Sequence, residues 1–326
     1  MSKRRIAVLT SGGDGPGLNA CIRAVTRRAL REEGVEVLGV RWGYRGLVND
    51  DFELLTHRDV GGILGKGGTV LGTARCPEFE DVLVRRRAIR HLNMRGVEGL
   101  VVIGGNGSLT GALKLHEMGF PVIGIPASID NDVDKTDIAV GVDTALNTIV
   151  EAIDRIKDTA TSHQRAFLVE VMGRNCGYLA LQSGLAGGAE LVLVPEREGP
   201  PMEKIADVVV DAYVRGKGHC IIVIAEGWKP GTQAIADYLR SRHEELGFDV
   251  RVTVLGHVQR GGRPLVFDRT LGTRMGAFAA EALLRGERGK MVALQGSHLV
   301  LVPLAEAVAR QKPLDPKLLE LAGMMD

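Results

Sequence analysis

The chain has 326 residues, of which 45% are hydrophobic and 25% charged, with a formal net charge of +1. That length suits two domains of ordinary size, each with a full core. The near-neutral balance and an aromatic content of 4% speak against nucleic acid or an acidic membrane surface as a partner.

From the start, Met1-Ser2-Lys3-Arg4-Arg5 is basic, but the apolar run that follows, Ile6–Leu9, is too short for a signal segment. No run approaches the roughly 20 apolar residues of a membrane span. A soluble, cytoplasmic protein with no membrane partner is expected. Ile6–Leu9 and Val35–Val40 read as strands around a helix at Leu18–Arg31. Leu100–Ile103 and Val122–Ile125 read as strands around a helix from Ser108, and an amphipathic helix follows over Thr144–Asp158. Ala166–Val171, Leu191–Val194, Ile221–Ala225 and Val250–Leu255 are further strands, and Arg269–Leu284 is helical. Glu306–Gln311 and Pro316–Leu321 are predicted as two short helices. Strands alternating with helices imply an α/β fold with largely parallel sheets flanked by helices. Cys21, Cys76, Cys176 and Cys220 have no metal-like spacing and read as small packed residues in a reducing compartment.

Three loops that follow strands stand out. Thr10-Ser11-Gly12-Gly13-Asp14 and Gly104-Gly105-Asn106-Gly107-Ser108 each join an apolar strand to a helix through a glycine pair. Glycine lets backbone approach a phosphate, and a helix N-terminus offers free N–H donors. Neither matches the P-loop or the dinucleotide fingerprint. The third, Ser128-Ile129-Asp130-Asn131-Asp132, puts two carboxylates past a strand's carboxyl end, where open α/β sheets bind ligands. Singly, each is equally an ordinary polar turn; together they would line one crevice. Arg75, Arg165, Arg174 and Arg251 add forked cations suited to phosphate oxygens. On residues alone, the chain reads as a phosphotransferase or a phosphate-binding α/β protein.

Four stretches in register then resemble the bacterial ATP-dependent 6-phosphofructokinases: Thr10–Asn19, Ser128–Asp132, Met172-Gly173-Arg174, and Gly256-His257-Val258-Gln259-Arg260-Gly261-Gly262. The resemblance implies two lobes with the active site in the cleft between them. A larger lobe, residues 1–141 with 258–307, would hold ATP through Gly13, Arg75, Cys76, Gly105, Asn106, Gly107 and Ser108. A smaller lobe, residues 142–257 with 308–326, would hold fructose 6-phosphate through Met172, Gly173, Arg174, Glu226, His257, Val258, Gln259 and Arg260. Ser128 and Ile129 would also touch substrate. By the same resemblance Asp130 is the base that takes the proton of the sugar's 1-hydroxyl. Ser128 would sit near the transferred group, and Arg75 and Arg174 would offset its charge. Mg2+ would bridge the ATP phosphates, served by Asn106 and Asp132. Arg165 and Arg251 would reach the sugar phosphate of a neighbouring subunit in a homotetramer. Arg23, Arg27, Lys157, Gly188, Glu190, Lys217 and His219 match a site for ADP or phosphoenolpyruvate as effector.

The chain departs from the family's pattern at Asn106, where Asp is usual, at Ala127-Ser128, where Gly-Thr is common, and at Lys157, where Arg is usual. Pyrophosphate-dependent relatives typically carry Lys at the position of Ala127 and a larger acidic residue at that of Gly107. The alternatives to an ATP-dependent glycolytic kinase are a pyrophosphate-dependent one, which Ala127 and Gly107 disfavour, and a weakly active regulatory paralogue, which Asn106 favours.

Overall fold

Eleven strands run through the described residues: β1 (Arg4–Thr10), β2 (Val35–Val40), β3 (Phe52–Leu55), β4 (Val97–Gly104), β5 (Val122–Pro126), β6 (Arg165–Val171), β7 (Leu191–Leu193), β8 (His219–Ala225), β9 (Asp249–Val254), β10 (Lys290–Gln295) and β11 (His298–Pro303). The computed structural model describes residues 4–324; Met1–Lys3 of the basic start and Met325–Asp326 lie outside them. The chain forms two compact units. The first runs to Thr144 and takes back Arg260–Lys312; the second is Ala145–Gln259 with the residues from Pro313 on.

In the first unit seven strands lie in the order β11-β10-β5-β4-β1-β2-β3. All neighbours are parallel except the two edges, where β3 and β11 run antiparallel. Alternation along the central strands supplies two apolar faces. Ile6, Val8, Val101 and Ile103 meet helices Leu18–Ala29 and Val266–Leu284 on one face. Ala7, Leu9, Leu100 and Val102 meet helices Val82–Met94 and Asn106–Glu117 on the other. Each fully buried Leu or Ile contributes about 1.5–3 kcal/mol. The sheet grows from β1 toward β2 on one side and from β4 toward β5 on the other. The crevice outside the carboxyl ends of β1 and β4 is therefore a topological switch point. Both glycine loops open there.

The edges differ from the sequence-based expectation. β3, β10 and β11 were not among the predicted strands, and the helix expected at Glu306–Gln311 is only Leu304–Ala307. Beyond it Gln311 forms an antiparallel bridge with Val133, so tertiary pairing overrides the local helical pattern.

The second unit holds a parallel four-stranded sheet in the order β7-β8-β6-β9. Arg165 lies level with His219 and Asp249 at the amino ends. Val171 pairs Ala225, and Glu170 pairs Val254, at the carboxyl ends. Leu168, Ile222 and Ile224 pack with Ile205, Val209, Ile235 and Leu239 of helices Met202–Val214 and Thr232–Ser241. The chain passes into this unit within helix Val142–His163. The start of that helix is fixed in the first unit by buried Asp268, whose carboxylate accepts from Gly141 N (2.7 Å), Thr144 N (2.8 Å) and Thr144 Oγ1 (2.6 Å). Among the described residues, no helix is long and apolar enough to cross a membrane.

Candidate active site

A cavity of about 520 Å³ opens in the first unit where the loops after β1, β4 and β5 converge. Gly13, Arg75, Cys76, Gly105, Asn106, Gly107 and Ser108 all line it, as do Ser128, Ile129, Asp130, Asp132 and Arg260. The two glycine loops are drawn together at Gly104, where an added Cβ would lie 2.5 Å from Ser11 O. Thr73 Oγ1 donates to Gly12 O (2.7 Å) and ties the Arg75 segment to the first loop. The Arg260 guanidinium lies against Gly13, 3.1 Å from where a Cβ would stand. Helix Asn106–Glu117 begins at Gly105 with no side-chain cap and no acidic residue in its first turn. Its free N–H groups and positive dipole end therefore suit an anion such as a phosphate.

Past β5, Ser128 Oγ donates to Asp132 Oδ1 (2.9 Å). Asn106 Nδ2 donates to Asp132 Oδ2 (2.9 Å) and to Asp132 O (3.0 Å). The Asp132 carboxylate is thus held in place by both. Asp130, half-buried, faces the same cavity. The turn between the two carboxylates is made by Asn131, which sits at φ 51° and is almost wholly buried. Asn tolerates this left-handed conformation. Its side chain donates to Asp137 O (3.2 Å) and accepts from Ala139 N (3.0 Å). Sequence reasoning passed over Asn131 as a site residue; an Asn inside a turn between two acids was the available signal.

A divalent cation fits this donor set. Asn106 Oδ1 is buried with no protein partner, and each Asp132 oxygen keeps a lone pair beyond its hydrogen bond. Among the described residues, no three His, Cys, Asp or Glu side chains form a metal cluster. Mg2+ needs none, since it takes one or two protein oxygens and completes its shell with phosphates and water.

The second unit carries the other expected substrate residues at two ends of one sheet. Met172-Gly173-Arg174 follow β6 and Glu226 follows β8, with Glu226 N donating to Val171 O (2.8 Å). Gly227 is obligatory here, because a Cβ would meet Arg174 O at 1.8 Å. Arg174, Glu226, His257 and Val258 are exposed, whereas Met172 and Gly173 are buried. Gln259 is turned inward and fully buried: Oε1 accepts from Met172 N (3.1 Å) and Nε2 donates to Gly256 O (2.9 Å). It ties the segments together rather than presenting its amide. Arg165 opens β6 and Arg251 is the third residue of β9; both pair with Asp249 at the opposite, amino end of the sheet. Asp249 was missed by sequence reasoning, although its position two before Arg251 puts both on one side of a strand.

Five of the seven expected effector residues also lie in this unit. Lys217 Nζ is 3.1 Å from Glu190 Oε1, and Glu190 Oε2 accepts from Ile221 N (2.6 Å). The Lys157 ammonium stands beside Gly188, and His219 Nδ1 is 2.9 Å from Thr161 Oγ1. Burial holds the His219 pKa below the usual histidine value, aided by Lys157 and Lys217 against the pull of Glu190. Arg23 and Arg27 lie one turn apart on Leu18–Ala29 of the first unit. Burial and then Arg27 lower the pKa of Arg23.

The phosphofructokinase family model matches residues 5–283. An ATP-dependent 6-phosphofructokinase of Thermotoga neapolitana is 52% identical over 99% of both chains. One of Bacillus pumilus is 49% identical over 98% of both. The solved phosphofructokinase of Saccharomyces cerevisiae is 38% identical with a TM-score of 0.86, covering 94% of this chain and 45% of that longer one.

Proposed function

The chain belongs to the phosphofructokinase family, and on that premise we infer that it transfers the γ-phosphoryl group of ATP to the 1-hydroxyl of fructose 6-phosphate, giving fructose 1,6-bisphosphate and ADP in glycolysis. The observation that carries this reading is the gathering of an uncapped helix N-terminus, two glycine loops and the Asp130 and Asp132 carboxylates in one cavity. ATP phosphates are received by the backbone donors around Gly13 and Gly105–Ser108. Asp130 takes the proton from the sugar's 1-hydroxyl as that oxygen bonds to the γ-phosphorus and the bond to the β-phosphate oxygen breaks. Ser128 and Asn106 keep Asp132 fixed beside it. Arg75 and Arg174 balance charge on the transferred group. Asn106 and Asp132 would hold Mg2+, which would offset charge on the phosphate oxygens.

Fructose 6-phosphate is assigned to Met172, Gly173, Arg174, Glu226, His257, Val258, Gln259 and Arg260, with Gln259 as a brace. Arg165 stands seven residues before Met172, a rise of roughly 20 Å along a strand. That distance supports Arg165 and Arg251 acting on the sugar phosphate of a neighbouring copy, within a homotetramer. The Lys157 and Lys217 ammonium groups near the His219 imidazole support a second site for ADP or phosphoenolpyruvate, to which Arg23 and Arg27 are also assigned. The reading is tested by following fructose 1,6-bisphosphate formation with ATP, with pyrophosphate and with neither. Product with ATP alone is expected. Turnover with pyrophosphate alone would reassign the donor, and none with either would make the chain a regulatory paralogue.

A further inference from the structure

The loop from Asp130 to Ala139 has almost no regular pairing of its own. Its shape is imposed by neighbours, and three consecutive residues at the end of the first unit supply many of the contacts. Arg310 Nε donates to Asp134 Oδ2 (2.9 Å). Gln311 pairs with Val133 through an antiparallel bridge. Lys312 N donates to Asp132 O (2.9 Å), the same carbonyl that Asn106 Nδ2 grips from the cavity side. The Lys312 ammonium reaches on to Thr136 O (2.8 Å) and to Asp137 O. The far side of the turn is anchored separately, by Gly296 N to Asp137 Oδ2 (2.6 Å) and Leu294 N to Thr136 Oγ1 (3.0 Å).

We propose that Arg310-Gln311-Lys312 is a strap that positions the catalytic loop, with the Lys312 ammonium as its working group. It rests on the reading of Asp130 and Asp132 as catalytic. None of its three residues lines the cavity; the strap fixes the carbonyl of Asp132 and the turn behind it, and so the direction of both carboxylates. Small misplacements of reacting groups cost rate far more than binding. Lysine is well suited, since one ammonium offers three donors and here spans the carbonyls of Thr136 and Asp137.

The test compares Lys312→Met, which keeps most of the stem, with Lys312→Arg, Arg310→Leu and Asp130→Ser. Lys312→Met is expected to lower kcat about tenfold, with KM for ATP and fructose 6-phosphate and the thermal midpoint little changed. Amide exchange across residues 130–139 should quicken, and Lys312→Arg should recover most of the rate. Unchanged kcat and exchange in Lys312→Met overturn the strap, as does a rate loss that only tracks lost folded protein. Should Lys312→Met not fold, Arg310→Leu at an exposed side chain is read instead, and unaltered exchange and kcat there overturn it. Asp130→Ser, expected to lose about 10²–10⁴-fold in kcat, separates the two ideas. Full turnover in that variant sinks the catalytic assignment, while the exchange data still judge the strap.

Discussion

Asn106 decides the electrostatics around Asp132. Its amide nitrogen lies 2.9 Å from Asp132 Oδ2, a donation that an aspartate at the same place has no hydrogen to make. The Asn106→Asp variant would set two carboxylates at hydrogen-bond distance. Like charges so close push one pKa upward, and each unit of that shift is about 1.4 kcal/mol. The raised carboxylate costs stability at neutral pH and regains it as pH falls toward its new pKa, because the folded state then binds the extra proton. A divalent cation between the two would relieve the same repulsion. The variant is therefore expected to melt below the natural protein in chelator at neutral pH, by about 1–3 kcal/mol of stability, and to recover with Mg2+. It should also reach half-maximal rate at lower free Mg2+. Thermal melts with and without Mg2+, beside a rate titration at saturating substrates, measure both. Identical Mg2+ responses in the two proteins would remove residue 106 from the metal site.

At the scale of elements, the central strands were legible because burial on both faces writes a continuous apolar run, as in Leu100–Ile103 and Val122–Ile125. The three loops that line the cavity were legible as glycine and carboxylate clusters after those strands. Edges were not. β3 and β11 are short or half-exposed, and the hairpin joining β10 to β11 turns on just Gly296-Ser297. Contacts made by ordinary residues were equally hidden: Gln259 turned inward, Asn131 shaping a turn, Lys312 reaching across from far along the chain. The cations near the amino ends of the four-stranded sheet allow a pH test. His219 has a depressed pKa, from burial first and then from Lys157 and Lys217. The unfolded chain therefore takes its proton first, and stability present above the ordinary value of about 6.5 declines as pH falls below it. A bound phosphate would favour the imidazolium and draw the pKa back up, so binding takes up a proton. If the proposed effector site is real, ADP or phosphoenolpyruvate should bind it more tightly as pH drops through that range, by about 1.4 kcal/mol per unit of pKa regained. Calorimetric titrations across the range, in buffers of different ionisation enthalpy, would show the uptake. A His219→Asn protein with an unaltered pH dependence would rule out the imidazole as its source.

For the whole molecule, the positions of Arg165 and Arg251 set the strictest requirement. Both pair with Asp249, the first residue of β9, while Met172–Arg174 and His257 lie beyond the carboxyl ends. Two cations held by one carboxylate are pre-aimed at an anion, yet nothing else expected of the sugar site lies at that end of the sheet. The proposed sugar site uses both ends and so needs two copies of the chain. In a symmetric oligomer each copy then lends its arginines and borrows another's. This makes a quantitative prediction for mixtures. Arg251→Ala chains keep a good base but lend no arginine; Asp130→Ser chains lend a good arginine but have no base. Each homo-oligomer should be nearly silent. In a one-to-one random mixture, a site is whole when an Arg251→Ala chain receives its arginine from an Asp130→Ser neighbour. Independent choice of the two partners gives about a quarter of sites restored. Co-expression with two different tags, purification of the mixed species and a rate assay per site would measure it. Activity no greater than the sum of the two parents, in oligomers verified to be mixed, would mean that each chain supplies its own Arg251 to the site that holds its own Asp130.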